Sequence, residues 1–321
     1  MLSTMMDIPL SLTRILEYGA SVHGDTTVTT WHGEGTGSEF DPAEEVTFRD
    51  IAARAAAFAH AIHDELGITS DERVGSFMWN CAEHLEVMFG TACKGAIFAP
   101  LNKQLMNDQI RHIINHAEIS AIVCDPRLAQ QLGKVLVGTD SVGSVIITGA
   151  QPAQQFAHLF PRGVEVYSYE ALIDGRSTVY DWPELDERTA AALCYSTGTT
   201  GAPKGVLYSH RSLYLEAMQL RSSDSLCITH GETFLCCIPI CHVLSWGVPF
   251  TCFMTGTPLV LPDADVSAPT LAKAIAATSP RVAHGVPTIW IQLFVHYMHH
   301  PPERMTPVSY THLRAHETKA N

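Results

Sequence analysis

The chain has few charged residues and no excess of basic ones. Of its 321 residues, 17% are Asp, Glu, Lys or Arg, and 33 acidic residues against 20 basic ones give a formal net charge of −13. Proteins that bind duplex DNA or RNA normally present a basic face, so this balance argues against a nucleic-acid partner. The hydrophobic share of 46% is enough for a sizeable core, in one large domain or two small ones.

The nine cysteines lack the spacing of a disulfide framework, and several lie inside apolar runs such as AIVC, which ends at Cys124. This pattern is typical of reduced, buried thiols and favours a cytoplasmic location. The run CCIPICH at 236–242 does not have the paired CxxC spacing of structural zinc, so we assign no metal ligands. The N-terminus has no basic region leading into an apolar core, so no secretory signal peptide is predicted.

One stretch, residues 234–262, has no charged residue at all. It is long enough to span a bilayer, which leaves a membrane-embedded protein as one alternative. However, four prolines and two glycines interrupt it: Pro239, Pro249, Pro258, Pro262, Gly247 and Gly256. These helix-breaking residues favour several short strands and turns in a buried core over one continuous helix, and no transmembrane segment is predicted. A channel for an apolar substrate is compatible with the same composition.

Helical and strand patterns alternate along the rest of the chain. Apolar residues recur at helical spacing after Thr47, as far as Gly67. Further helices are predicted at 81–93 and 108–117, strands at 74–78, 96–100, 121–124 and 145–148, and loops at 33–42, 151–155 and 174–183. This alternation predicts an α/β fold with a mostly parallel sheet covered by helices on both faces.

Residues 195–205 read YSTGTTGAPKG and combine four small hydroxyl side chains, three glycines and one lysine. Glycine lets backbone N–H groups approach a phosphate, hydroxyls add donors, and a lysine supplies a point charge. Strand-like segments at 190–195 and 206–208 flank the loop. The P-loop pattern fails because Pro203 stands where its second glycine is required, and Gly-x-Gly-x-x-Gly fails as well. The alternative is an ordinary polar hairpin turn that binds no ligand, since Gly, Pro, Ser and Thr are common turn residues.

YSTGTTGAPKG resembles the phosphate-binding signature of the adenylate-forming enzymes, which include acyl-CoA synthetases, aryl-CoA ligases, luciferases and peptide-synthetase adenylation domains. Four other stretches are similar to further segments of that family: SHR at 209–211, IPICH at 238–242, HGVPTIW at 284–290 and APLNKQLMNDQIRHIINHAE at 99–118. The resemblance covers roughly residues 48–301. It implies the α/β N-terminal domain of such an enzyme, with sheets sandwiched between helices, and an incomplete one.

The resemblance implies a reaction in two halves, with ATP, Mg²⁺ and CoA. A fatty acid or other small carboxylic acid attacks the α-phosphate of ATP to give acyl-AMP and pyrophosphate, and the CoA thiol then displaces AMP. The loop would cradle the β- and γ-phosphates through Ser196, Thr197, Gly198, Thr199, Thr200, Gly201 and Lys204, and Lys204 would also serve catalysis.

The resemblance also implies an acid-binding side of the site. His242 is expected near the acyl carboxylate and the α-phosphate, where an imidazole can donate a hydrogen bond; a satisfied core histidine is the alternative. Trp246 is expected at the mouth of an acyl tunnel, and a plain core aromatic is equally compatible. Val286 and Pro287 are expected to contact substrate. Cys241 stands where the family usually has a bulky aromatic residue, which leaves the acyl chain length open.

Several family features are missing before Asn321: an aromatic-Gly-x-Thr-Glu motif, a ribose-binding Asp, a hinge, and a small C-terminal lid with a catalytic lysine. We therefore expect residues 1–306 to be a partial large N-terminal AMP-binding domain with no lid and little ligase activity of its own. Residues 307–321 are expected to be a non-native or disordered tail. The alternatives are a coumarate-type aryl-CoA ligase and a lidless nucleotide- or acyl-binding protein; a homodimer and a peripheral membrane contact stay open.

Overall fold

A computed structural model describes residues 1, 3–33, 43–196 and 202–301. Twelve strands lie in this part of the chain and form two sheets. The strands are β1 Thr27–Trp31, β2 Ala43–Thr47, β3 Arg73–Phe77, β4 Ile97–Pro100, β5 Ile119–Cys124, β6 Ser144–Ile147, β7 Glu165–Ser168, β8 Ala190–Tyr195, β9 Gly205–Ser209, β10 Phe234–Cys236, β11 Leu259–Leu261 and β12 Val282–His284.

Eleven helices accompany these strands in the same ranges. They are α1 Leu12–Val22, α2 Phe48–Asp64, α3 Ala82–Cys93, α4 Asn107–Ala117, α5 Ala129–Leu136, α6 Tyr169–Ile173, α7 His210–Leu220, α8 Val243–Trp246, α9 Val248–Thr255, α10 Ala268–Thr278 and α11 Pro287–His299. Short 3₁₀ turns lie at Pro126–Leu128, Ala153–Gln155 and Ala157–Leu159.

Both sheets are mostly parallel, as the alternation of patterns predicted. The larger sheet has the order β7-β6-β5-β3-β4-β8-β9, and its edge strand β9 is antiparallel to β8. The smaller sheet has the order β12-β10-β11-β1-β2, and β2 is antiparallel to β1. Helices flank the sheets, so the prediction of an α/β fold is confirmed. The carboxyl ends of the parallel strands gather at one edge of each sheet.

The start of α2 shows how local sequence fixes an element. The hydroxyl of Thr47 accepts a hydrogen bond from the backbone N–H of Asp50 at 3.1 Å, and the Asp50 carboxylate accepts from the Thr47 N–H at 2.9 Å. This is a reciprocal capping box in which Asp replaces the usual Glu or Gln. The apolar face of α2 then packs on α3, where Gly90 permits contact: a Cβ at that position would lie 2.7 Å from the Ala55 carbonyl.

The charge-free stretch 234–262 is mostly buried, as predicted, but the prediction of only strands and turns was wrong. It contains α8 and the fully buried helix α9 between the strands β10 and β11. Pro249 lies in the first turn of α9, where a proline removes no helical hydrogen bond. Within the described residues, no helix has the length and apolar composition needed to cross a membrane.

Two further predictions have definite outcomes. All nine cysteines carry free thiols, and eight of them are buried, which confirms that they act as small apolar side chains. The predicted loop 151–155 contains a 3₁₀ turn at Ala153–Gln155. The predicted loop 33–42 lies almost entirely outside the described residues.

Candidate active site

The carboxyl edges of the two sheets meet at Asn80, in the loop that follows β3. Its side-chain amide donates to the Ile238 carbonyl at 2.8 Å and to the Cys236 carbonyl at 3.3 Å, and its oxygen accepts from the Ile240 N–H at 3.1 Å. Its backbone carbonyl accepts from the Asp263 N–H at 3.0 Å, beyond β11. Ligands of α/β proteins bind beyond the carboxyl ends of parallel strands, so this junction is where a site is expected.

An ionic cluster fixes the same junction. The guanidinium of Arg127 contacts Asp125, which follows β5, at 2.5 Å, and Asp263 at 2.8 Å, and His32 lies 3.1 Å from Asp263. Burial opposes ionisation of Asp263, but hydrogen bonds from His32 and Arg127 hold its pKa below the usual value. Because Asp125 follows a strand of the larger sheet and Asp263 a strand of the smaller one, their shared pairing with Arg127 ties the two sheets together and leaves no free carboxylate in the cluster.

The hairpin β8–β9 holds both ends of the hydroxyl- and glycine-rich loop. Tyr195 pairs with Gly205 across the hairpin, the Ser196 N–H donates to the Lys204 carbonyl at 3.0 Å, and the Lys204 N–H donates to the Ser196 hydroxyl at 3.4 Å. Both side chains are exposed to solvent. The predicted phosphate-binding residues Thr197, Gly198, Thr199, Thr200 and Gly201 lie outside the described residues.

His242 lies at the other side of the site, at the N-terminal end of α8. Its ring is half-buried and has no hydrogen-bond partner among the described residues, so the alternative of a satisfied core histidine has no support here. Burial, followed by the positive charge of Lys103, lowers its pKa. A neutral imidazole at neutral pH can donate one hydrogen bond and accept another.

The turn that carries His242 has an unusual backbone. Val243, Leu244, Ser245 and Trp246 all have positive φ, between 41° and 55°, and Gly247 follows at 73°. Residues other than glycine adopt this left-handed conformation at a cost of about 1–2 kcal/mol each. Strain of this kind persists only where the surroundings determine it, and such places are often functional sites.

Ser245 is the residue that anchors this turn. Its side chain is fully buried and donates to the Ile238 carbonyl at 2.8 Å; it also lies 2.8 Å from the Cys236 thiol and 3.2 Å from Nε2 of His284. His284 is the last residue of β12, and burial lowers its pKa to about 4, so its ring is neutral at pH 7. The turn is therefore held to β10 and β12 through one hydroxyl group.

The remaining predicted substrate contacts lie around this turn. Trp246 is 44% exposed, and its ring packs edge-on against His284 at 5.9 Å between centroids, so it is not a closed core aromatic. Val286 and Pro287 follow β12 at the start of α11 and are exposed. Cys236 pairs with His284 between β10 and β12, so the chain segments to His242 and to Val286 leave adjacent strands at one edge.

The two sides of the site approach each other at Cys194 in β8. Burial raises the pKa of the Cys194 thiol to about 12. The nearby Cys241 thiol also raises this pKa, whereas a hydrogen bond from the Leu244 backbone lowers it. The strand that leads into Ser196 is thus in contact with the turn that carries His242. Among the described residues that the sequence selected, Ser196 and Lys204 lie at the end of the β8–β9 hairpin, and His242, Trp246, Val286 and Pro287 lie beyond β10 and β12.

Sequence reasoning missed four residues of this site: Asn80, Lys103, Ser245 and His284. Asn80 carried a usable signal, because an amide side chain directly follows the apolar strand β3. Lys103 lies inside the segment 99–118 that resembles the adenylate-forming enzymes. His284 is the first residue of the segment 284–290, which resembles the same family. Ser245 had no signal of its own, since its role depends on long-range contacts.

A groove of about 460 Å³ lies elsewhere, between α2 and α6. Arg54 and Glu170, which line it, are already paired with each other at 2.6 Å, and Arg54 also contacts Glu86 at 2.8 Å. No group of three or more His, Cys, Asp or Glu residues suited to a metal ion lies within the described ranges. At the junction of the sheets, by contrast, Nε1 of Trp79 and Nδ1 of His284 have no hydrogen-bond partner among the described residues.

Comparison with known proteins gives a consistent result. The model of the family described as "AMP-binding enzyme" matches residues 16–317. The chain is 32% identical over 296 residues to 3-methylmercaptopropionyl-CoA ligase from Ruegeria lacuscaerulensis, covering 92% of this chain and 53% of that protein. It is also 32% identical over 293 residues to the medium-chain-fatty-acid–CoA ligase of Ectopseudomonas oleovorans, covering 90% and 51%.

A solved structure shows the same fold. The long-chain-fatty-acid-CoA ligase of Archaeoglobus fulgidus superposes with a TM-score of 0.76 at 22% identity, over 93% of this chain and 57% of that one. The chain spans about half the length of the curated relatives it matches.

Proposed function

Because this chain belongs to the AMP-binding enzyme family, we propose that it supplies the phosphate- and acid-binding part of an ATP-dependent acyl-CoA ligase that activates a fatty acid through acyl-AMP. The observation that carries the proposal is the approach of the β8–β9 hairpin to the turn of His242. The sequence of the loop suits phosphates and the imidazole suits a carboxylate, and Cys194 near the end of β8 contacts the turn that follows His242. The names of the relatives, all CoA ligases, support the same reaction class.

The two reactants of the first half-reaction are anions, so the site has to offset their repulsion and hold them in line. We propose that Ser196 and Lys204, with residues 197–201, bind the β- and γ-phosphates of ATP. His242 would donate a hydrogen bond to the acid or to the α-phosphate oxygen. Trp246, Val286 and Pro287 would line the entrance for the acyl chain.

Mg²⁺ would neutralise phosphate charge when it enters with ATP. The described residues offer no cluster of carboxylates to hold the ion by themselves, so we assign it no protein ligand here. CoA is proposed as the acceptor of the acyl group in the whole protein. The free, mostly buried thiols support a proposed cytoplasmic location.

The test is binding of MgATP and of a panel of acids to the purified chain, by calorimetry and thermal shift. Octanoate, palmitate, coumarate and 3-methylmercaptopropionate separate fatty, aromatic and short thioether acids. We expect MgATP to raise the melting temperature, because a ligand that binds only the folded state stabilises it, and a fatty acid to raise it further. Preference for coumarate would favour an aryl-CoA ligase, and no response to MgATP would contradict the proposal.

The proposed catalytic role has its own test. Acid-dependent exchange of pyrophosphate into ATP reports acyl-AMP formation, and thioester formation with CoA reports the second half-reaction. Exchange by the 321-residue chain would contradict our expectation that it has little ligase activity alone. Binding without exchange fits that expectation and equally fits a lidless binding protein, so assay of the whole protein decides between the two.

A further inference from the structure

A second lysine, Lys103, lies at the same sheet edge as the phosphate-binding hairpin. Strands β4 and β8 run parallel, with Phe98 beside Ala192. Ser196 lies four residues beyond this pair on β8, and Lys103 lies five residues beyond it on the chain that leaves β4. Because parallel neighbours advance together, β4 and β8 end at about the same level, at Pro100 and Tyr195, and Lys103 and Ser196 follow those ends.

The ammonium group of Lys103 lacks a counter-ion in the described part of the chain. Its Nζ donates to the Met78 carbonyl at 3.2 Å and lies 4.0 Å from the centre of the Trp79 ring. Its nearest carboxylates, Asp125 and Asp263, are already paired with Arg127. A half-buried charge without a carboxylate partner is costly, and an anionic ligand would relieve that cost.

The positive charge of Lys103 affects the pKa of two residues on the acid-binding side, His242 and Cys241. Burial lowers the pKa of His242, and the positive charge of Lys103 lowers it further. Burial raises the pKa of the Cys241 thiol to about 11, and Lys103 opposes that rise. The loop after β3, which contains Met78 and Trp79, is also fixed to the acid-binding side, because the Asn80 side chain in that loop hydrogen-bonds to the backbone of Ile238 and Ile240.

We propose that Lys103 is a substrate-binding residue whose ammonium group binds the carboxylate of the acid at His242. The inference rests on the proposed function and adds a second cation to it, so that Lys204 serves the terminal phosphates and Lys103 serves the acid. A cation at this point lowers the repulsion between the carboxylate and the α-phosphate that it attacks. The other role open to Lys103 is structural, through Met78 and Trp79 alone.

Charge-specific binding separates these roles. Octanoate and octanamide have similar shapes but differ in charge, and calorimetry in the presence of Mg²⁺ and a non-hydrolysable ATP analogue measures both. We expect the wild type to prefer octanoate and Lys103→Met to bind octanoate about tenfold more weakly, with octanamide unchanged. Lys103→Arg keeps the charge and should retain most of the preference.

Two control variants match the chemistry of the substitution. Lys134 is exposed on α5, and the Lys94 ammonium group donates to the Ile68 carbonyl, its one hydrogen bond among the described residues. Lys134→Met and Lys94→Met should both keep the wild-type preference for octanoate. If Lys103→Met keeps it too, the inference is wrong while the proposed function stands; if the wild type binds neither the ATP analogue nor octanoate, both are wrong.

A second measurement covers the case in which Lys103→Met does not fold. Acetic anhydride labels accessible amines, and mass spectrometry reports the labelling of each lysine in the wild type. Octanoate with the ATP analogue should protect Lys103 from labelling and leave Lys134 unchanged. Equal labelling of Lys103 with octanoate and with octanamide would overturn the inference.

Discussion

The left-handed turn at Val243 predicts a reversed effect of glycine. In a right-handed helix, replacing Ala by Gly costs about 0.5–1 kcal/mol, because glycine has more freedom to lose on folding. At Val243, where φ is 41°, glycine instead removes a steric penalty of about 1–2 kcal/mol. Subtracting the unfolded-state entropy of glycine leaves a net gain of about 1 kcal/mol.

The comparison is between Val243→Ala and Val243→Gly, because Val243 is 40% exposed and loses part of its packing in both variants. Ala276→Gly is the matched control, since Ala276 is exposed in the right-handed helix α10. The step from Ala to Gly should raise the free energy of unfolding by about 1 kcal/mol at 243 and lower it by about 1 kcal/mol at 276. Urea denaturation and melting temperature, with about 2 °C expected per kcal/mol, measure both steps.

The same sign at both positions would refute the left-handed turn. If the turn is correct, its four non-glycine residues together store about 4–8 kcal/mol, a large part of the 5–15 kcal/mol that a folded protein usually has. Burial of Leu244 and Val248 and the hydrogen bonds of Ser245 offset that cost.

Three further predictions concern the phosphate loop, the buried histidine of α3 and the junction of the sheets. Lys204→Met should weaken MgATP binding about tenfold in calorimetry and leave octanoate binding unchanged; an equal loss for both ligands would contradict a role at the phosphates. Burial lowers the pKa of His84 to about 3 in the folded protein. As the pH falls below 6.5, the unfolded chain is therefore protonated at this histidine before the folded protein is, and the free energy of unfolding decreases. Between pH 6.5 and 5 this histidine should lower the free energy of unfolding by about 2 kcal/mol. Urea denaturation of His84→Gln should therefore show a flatter dependence of that free energy on pH, and an unchanged dependence would contradict the prediction. Asn80→Ala removes three buried hydrogen bonds and should cost about 3 kcal/mol, against a few tenths for Asn115→Ala, whose single contact is exposed; equal losses in denaturation would contradict the role of Asn80.

Local patterns predicted most elements of the fold. The helices predicted after Thr47, at 81–93 and at 108–117 and the short apolar strands all lie within a few residues of those in the structure, since each depends on nearby residues. The helix α9 was missed because its eight residues have no polar face, and periodicity cannot separate a fully buried helix from buried strands.

The site was only partly visible in the sequence. Ser196, Lys204 and His242 could be selected as candidates because they lie in motifs of contiguous residues. The partners that position them come from distant parts of the chain: Ser245 meets His284 across 39 residues, and Asn80 meets Ile240 across 160. Nor does a pattern of residue types predict the left-handed backbone after His242, since valine and tryptophan rarely adopt it.

The three side-chain bonds of Asn80 also bear on how this protein could be redesigned for other acids. Asn80 follows a strand of the larger sheet, yet it fixes the backbone of Ile238 and Ile240, just before His242. A substitution that tilts β3, for example at the buried Phe77, would move the imidazole without touching a ligand. Under the proposed function, libraries that vary only Trp246, Val286 and Pro287 would therefore leave the residues that position His242 unsampled, and selection for new acids should recover changes in the core of the neighbouring sheet.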